Sequence, residues 1–128
     1  MSFTLPKKEK LKSKKLIEQL FNEGKSVSNY PVKLVYLKCV HEDGSKLKIG
    51  VTASKRNFKS AVKRNRIKRL MRECYRLNKP LIFNNIEGDY AFMFLYLGKD
   101  MPTYEHLDIC FKQIFKKLLT KESHENLN

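Results

Sequence analysis

Residues 54–78 read SKRNFKSAVKRNRIKRLMRECYRLN, and the chain is best read outward from them. Between Lys55 and Arg72 stand nine basic residues and no acid. At about 100° per residue, Ile67, Leu70, Met71, Cys74 and Leu77 fall on one side as a core-facing stripe. Asn65, Lys68, Arg69, Arg72 and Arg76 fall on the other, with Arg64 and Arg66 on the two shoulders. The spacing predicts a helix packed along one side and cationic along the other, ended by Pro80. Arginine suits phosphate oxygens because its planar fork bonds them in pairs and it sheds water more readily than lysine. Asn65 adds an amide that can reach a ribose hydroxyl or a base edge. The plainer reading is a solvated face, but such a face mixes signs to gain i,i+4 pairs. Here Glu73 is the only acid between Lys46 and Lys79, and Lys68, Arg72 and Arg76 repel one another at i,i+4. A polyanion relieves that repulsion.

Ahead of this helix, Leu47, Ile49 and Val51 alternate with Lys46, Lys48 and Gly50, a strand over 46–53. Residues 32–41 make another, with Val32, Leu34 and Tyr36 on one face and Lys33, Val35 and Leu37 on the other. The Asp43-Gly44 turn between them predicts a hairpin connection over 41–45. A shorter strand fits between Gly24 and Pro31. Ser13 caps a helix with the stripe Leu16, Ile17, Leu20 and Phe21, which Gly24 ends. Residues 1–12 are basic, lack periodicity and read as an arm.

Beyond the central helix, 84–88 is a loop and Asp89–Leu97 a strand with aromatics at 90, 92, 94 and 96. Its other face is also apolar, so it is a central strand covered on both sides. Thr103 caps a last helix with the stripe Leu107, Cys110, Phe111, Ile114, Phe115 and Leu118. From Thr120 to residue 128 the tail is polar and expected to fray. The order α-βββ-α-β-α is an α+β class, helices against a small mixed sheet.

A chain of 128 residues, 41% hydrophobic, fits one domain over 1–128 with a real core. Its formal net charge of +14 calls for a polyanionic partner, most commonly nucleic acid. An anionic membrane surface would call for a strongly apolar amphipathic helix, often with Trp, and there is no Trp. No apolar run serves as a signal peptide or membrane span, so a cytoplasmic protein is expected. Cys39, Cys74 and Cys110 form no C-x-x-C pair and read as reduced thiols. Cys39 and His41 share a strand face, which more often means ordinary strand residues than a metal site. Neither catalytic nor metal-ligating residues are expected, because paired carboxylates, a nucleophile with its histidine, and a Gly-rich phosphate loop are all missing.

The run Ser54-Lys55-Arg56, followed by Ala61 through Glu73 with R-N-R-x-K-R-L-x-R at its centre, resembles the signature of the bacterial ribonuclease P protein family. The preceding strand, ending G-V-T-A-S-K-R, fits the same pattern, and the other elements follow in the family's order across nearly the whole chain. The resemblance implies a ribosomal-protein-S5-like fold, with a left-handed β-α-β crossover through the basic helix, where such crossovers are otherwise right-handed in about 98% of cases. It implies a subunit of an endoribonuclease that binds the catalytic RNA and the 5′ leader of precursor tRNA and promotes removal of the leader. The chemistry and its Mg2+ would belong mainly to the RNA, with no organic cofactor.

By position, the resemblance puts Lys55, Arg56, Lys59, Lys63, Arg64, Asn65, Arg66, Lys68, Arg69 and Arg72 on the catalytic RNA. It puts Ile17, Phe21, Lys33, Val35 and Tyr36 in a leader-binding cleft between the first helix and the sheet. The chain departs from the family in having Ile17 where many members carry an aromatic, and Val35 at a strand position that is often aromatic. Leader stacking would then be weaker or differently built, and core packing is an equal reading of Ile17 and Phe21. Other readings are a ribosomal-type RNA binder, which the motif disfavours, and a base-stacking sheet using Tyr90, Phe92, Phe94 and Tyr96. The last lacks its basic-Gly-aromatic signature. A nuclease in its own right lacks carboxylates for Mg2+ in the basic region. A duplex-DNA reader would need side chains that reach base edges, and an unbroken ridge of cations reads phosphate.

Overall fold

Tyr90–Tyr96 is the strand about which the other elements are arranged. In the computed structural model, which describes residues 6–126, with side chains described only as far as Glu122, seven main elements follow in order. They are α1 (Lys14–Glu23), β1 (Lys25–Asn29), β2 (Val32–Lys38), β3 (Leu47–Ala53), α2 (Ala61–Phe83), β4 (Tyr90–Tyr96) and α3 (Tyr104–Asn126). A 3-10 turn over Lys7–Glu9 precedes them. The strands form one mixed sheet in the order β1-β2-β4-β3. β4 runs antiparallel to β2 and parallel to β3, and α2 is the crossover between the parallel pair.

The two faces of β4 explain this arrangement. Tyr90, Phe92, Phe94 and Tyr96 point to one side, where they meet Val32, Leu34 and Tyr36 of β2 and the apolar sides of α2 and α3. The α3 stripe Leu107, Cys110, Phe111, Ile114, Phe115 and Leu118 is wholly buried there, as its periodicity predicts. Phe94 stacks on Phe111 with ring centroids 4.6 Å apart. Ala91 and Met93 point to the opposite side, into a smaller cluster with Val35, Leu11 and Leu20 of α1. A strand covered on both faces sits in the middle of a sheet.

That preference overturns the expected hairpin between β2 and β3. The turn exists: Gly44 takes a φ of +77°, and the Asp43 carboxylate accepts from the Ser45 N–H and from Lys48 Nζ. However, β4 inserts between the two strands, and the 39–46 connection bridges its end through Cys39 N–H to the Asp89 carbonyl and Tyr90 N–H to the Lys46 carbonyl. β2 instead forms its hairpin with β1, the strand expected between Gly24 and Pro31, through a cis Tyr30-Pro31 bond. β2 ends at Lys38, short of 41.

Four further expectations are corrected. Residues 6–12, read as an arm, are fastened to the sheet: Leu11 is buried, and its N–H donates to the Ile49 carbonyl of β3. Residues 1–5 of the expected arm lie outside the described residues. Pro80 does not end α2. It lies inside the helix, whose next residues close through Asn84 N–H to the Pro80 carbonyl while Ile82 packs into the core. Leu77 is 47% exposed, because beyond Cys74 the buried side of α2 passes to Tyr75, Asn78 and Ile82. The tail continues α3 to Asn126, and 127–128 lie outside the described residues. Lys117 and Lys121 on that helix donate to the Ser28 and Ser26 carbonyls of β1, which covers an edge strand.

Candidate nucleic-acid interface

The basic region is a helix start with a fastened loop in front of it. Ser60 caps α2, its hydroxyl accepting from the Lys63 N–H. In the 54–60 loop the Ser54 hydroxyl accepts from the Arg56 N–H, and the Phe58 N–H reaches the Ser54 carbonyl. Phe58 is buried against Tyr96, ring centroids 6.1 Å apart. Asn57 donates through Nδ2 to the Leu97 and Gly98 carbonyls. Arg64 turns back from the helix, its guanidinium donating to the Phe58 carbonyl at 2.7 Å and the Lys59 carbonyl at 3.0 Å. Asn57 and Phe58 escaped the sequence reading; the signal for them was a lone aromatic inside an otherwise cationic run.

On this frame Lys55, Arg56, Lys59, Lys63, Asn65, Arg66 and Arg69 are exposed, while Arg64, Lys68 and Arg72 are half-buried. Among the described residues none of these cations has an acidic partner; the ion pairs lie elsewhere, at Lys48–Asp43, Lys79–Glu9 and Lys112–Asp108. Ten residues thus come together at one end of α2, and one of them, Arg64, spends hydrogen bonds on holding the loop.

On the opposite face of the sheet α1 crosses β2 and β4. Ser13 caps it by accepting from the Leu16 N–H, and Leu20 is fully buried against the sheet. Gly24 brings its end against β2 at backbone distance: a Cβ there would stand 2.3 Å from the Leu20 carbonyl and 3.0 Å from that of Tyr36. On this face, where the cleft is expected, Ile17 is half-buried, Phe21 48% exposed, Lys33 half-buried and Val35 buried. Lys33 is the cross-strand partner of Ser28 on one side and Leu95 on the other, so those two share the cleft face. The alternation of β1 and β4 carries that signal. Tyr36 is not in the cleft. Alternation turns it to the other face, where it is buried near Tyr90 in the main core.

The thiols are poorly placed for reactivity. Burial pushes the Cys74 thiol up to about 12 and raises that of Cys39. His41 Nε2 lies 2.9 Å from the Tyr90 carbonyl and 3.9 Å from Cys39 Sγ. Among the described residues no three His, Cys, Asp or Glu side chains stand together as metal ligands. No helix among them is long and apolar enough to cross a membrane.

Residues 5–119 match the family model Ribonuclease P. The chain is 33% identical over 110 residues to the ribonuclease P protein component of Porphyromonas gingivalis, covering 84% of this chain and 80% of that one. To the corresponding protein of Chlorobium phaeobacteroides it is 37% identical over 117 residues, covering 81% and 80%. The fold is that of the RNase P protein of Staphylococcus aureus, with a TM-score of 0.69 at 20% identity over 86% of this chain and 94% of that one. The RNase P protein from Thermotoga maritima superposes with a TM-score of 0.68 at 21% identity, over 85% and 96%.

Proposed function

The chain belongs to the ribonuclease P protein family, and on that premise we propose that the loop and first turns of α2 dock on the catalytic RNA while the cleft beside α1 receives the 5′ leader of precursor tRNA. It is a protein subunit of ribonuclease P, an endoribonuclease of tRNA 5′ maturation, and as such associates with ribonuclease P RNA. The reading places it in the cytoplasm.

One observation carries the RNA contact: exposed cations without acidic partners stand on a loop fastened by Phe58, Asn57 and Arg64. A surface held in place before binding loses less conformational entropy when phosphates arrive. Lys55, Arg56, Lys59, Lys63, Arg66, Lys68, Arg69 and Arg72 are read as phosphate contacts and Asn65 as a ribose or base-edge contact. Arg64 is read as a positioning residue for the loop with part of its guanidinium left for RNA.

In the cleft, Phe21 offers an exposed ring to unpaired bases and Lys33 a charge to their backbone, over a floor of Val35 with Ile17 at the wall. An aliphatic Ile17 and Val35 make this a platform of one ring, so leader affinity rests mostly on Phe21. Among the described residues no three His, Cys, Asp or Glu side chains stand together to cage Mg2+, and the reading leaves the metal with the RNA subunit, whose chemistry it would serve.

The test is binding to ribonuclease P RNA across a range of salt. Arg66→Ala with Arg69→Ala should weaken binding and reduce the salt slope by about 2, since each duplex phosphate contact contributes roughly 0.9. A slope that does not move would remove the ridge from the RNA interface.

A further inference from the structure

Residues 7–15 read KKEKLKSKK, six lysines and one acid, and the fold fastens Lys8 through Leu11. Glu9 Oε1 accepts from Tyr75 Oη at 3.3 Å and pairs with Lys79 Nζ at 2.5 Å, both on α2. Leu11 is buried with Leu20 and Met93, and Lys10 forms a parallel bridge with Ile49 on the open edge of β3. The Lys8 carbonyl accepts from Lys48 Nζ at 2.8 Å. With its single acid already paired, the segment leaves Lys7, Lys8, Lys10 and Lys12 exposed, and among the described residues none of the four has an acidic partner.

Where the segment lies decides what it adjoins. Its lysines border a groove of about 840 Å³ between the 3-10 turn, α1 and the 40–48 loop. Lys15 and Gln19 line it from α1, on the opposite shoulder of that helix from Ile17 and Phe21, and Lys12 lines it from just before the helix. Leu20 seals α1 to the sheet between the two, so the groove is walled off from the cleft. Toward α2 the segment is tied to the helix itself, through Glu9 to Tyr75 and Lys79. Tyr75, which meets Glu9, shares one shoulder of α2 with Lys68, Arg72 and Lys79, a spread of about 60° at 100° per residue. The segment thus links that shoulder of α2 to the β3 edge and the groove, whose wall also holds Glu42 and Asp43, the latter paired with Lys48.

We propose that residues 7–15 are a second, prefolded RNA-binding surface that takes phosphodiester backbone of the catalytic RNA, continuing the contact made by α2. The inference rests on the function proposed above. Catalytic RNA rather than the leader is the partner because the segment is tied to α2 through Glu9 and is separated by α1 from the cleft. Lysines alone, with no aromatic among residues 7–15, read backbone charge and not base sequence.

The experiment compares wild-type protein, the Arg66→Ala/Arg69→Ala variant, and a variant with Lys7, Lys8, Lys10 and Lys12 all changed to Ala. Each is titrated with ribonuclease P RNA without precursor tRNA, over a range of salt. Glu9 and Leu11 are kept, so the lysine variant should melt with the wild type, and the same four positions as Arg should restore binding. The expected result is a salt slope reduced by about 3 in the Ala variant, from four contacts at roughly 0.7 to 0.9 each. A slope unchanged by the four lysines but lowered by Arg66 and Arg69 overturns this inference alone. Loss of affinity only for a long-leader precursor bound to the assembled complex overturns the assignment to catalytic RNA and gives the groove to the leader. If the wild type itself fails to bind that RNA, the function proposed above falls first.

Discussion

The guanidinium of Arg64 donates to the Phe58 carbonyl at 2.7 Å, closing the loop before α2 onto the helix that follows it. Within the Arg64-Asn65-Arg66 motif the two arginines therefore differ: Arg66 is exposed, while Arg64 is half-buried and engaged. Arg64→Ala should cost more RNA affinity than Arg66→Ala, about tenfold or more, because it frees the loop that carries Lys55, Arg56 and Lys59. Both bonds leave one nitrogen, Nη1, so Arg64→Lys, whose ammonium carries three donors, should restore part of the loop closure. Limited proteolysis within 54–60 separates loop release from simple charge loss. Equal effects for both arginines, with no change in cleavage of the loop, would count against the positioning role.

Leu20 and Phe21 are adjacent but face opposite demands. Leu20 is fully buried, and Leu20→Ala should destabilise the fold by about 2–5 kcal/mol in a denaturant titration. Phe21 is 48% exposed, so Phe21→Ala should leave the midpoint nearly unchanged. Its loss should show as about tenfold weaker discrimination between leader-bearing and mature tRNA, given roughly 1–3 kcal/mol for an aromatic stacked on a base. Equal loss on both substrates would return Phe21 to a packing role.

Gly24 tests how α1 is held. An added methyl would collide with the Leu20 and Tyr36 carbonyls, both backbone atoms that cannot turn aside. Gly24→Ala should lower stability by about 1–3 kcal/mol, in the range of overpacked sites, and disturb the cleft with it. A variant with wild-type stability would mean that α1 can shift on the sheet without cost.

Asn78 links the two long helices. Its Nδ2 donates to the Asp108 carboxylate and to the Cys74 carbonyl, each at 2.8 Å. Hydrogen bonds from Lys112 first, and then from Asn78, hold the Asp108 carboxyl below its usual value. A depressed carboxylate contributes stability above its unfolded pKa of about 3.9 and loses that contribution as pH falls through the lower folded value. Asp108→Asn should therefore melt below wild type at pH 7, with the gap closing as the pH is taken below about 4. A gap that persists unchanged into acid would assign the effect to packing instead of charge.

The sequence was most legible where one periodicity ruled without competition. The α3 stripe, the two-faced apolar β4 and the Ser13 and Thr103 caps all follow from spacing, and all stand in the structure as read. What local reading missed depends on partners distant in the chain. Asp43-Gly44 does make a turn, but pairing was decided by β4, more than forty residues on, which buries both faces by entering between β2 and β3. The lysine-rich N-terminal segment shows no periodicity and reads as an arm because its anchors, Glu9 and Leu11, find Tyr75, Lys79 and Ile49 only in three dimensions. Tyr36 illustrates the opposite lesson: strand alternation already placed it away from Val35, and its burial in the main core follows that alternation and not the family pattern.

The most direct measurement is cleavage of a precursor tRNA by ribonuclease P RNA at low, roughly millimolar Mg2+, with and without this protein. The expected result is cleavage at the 5′ end that depends on added protein, with no cutting by the protein alone. Tight binding to that RNA without any effect on cleavage would contradict the account and leave a general structured-RNA binder in its place.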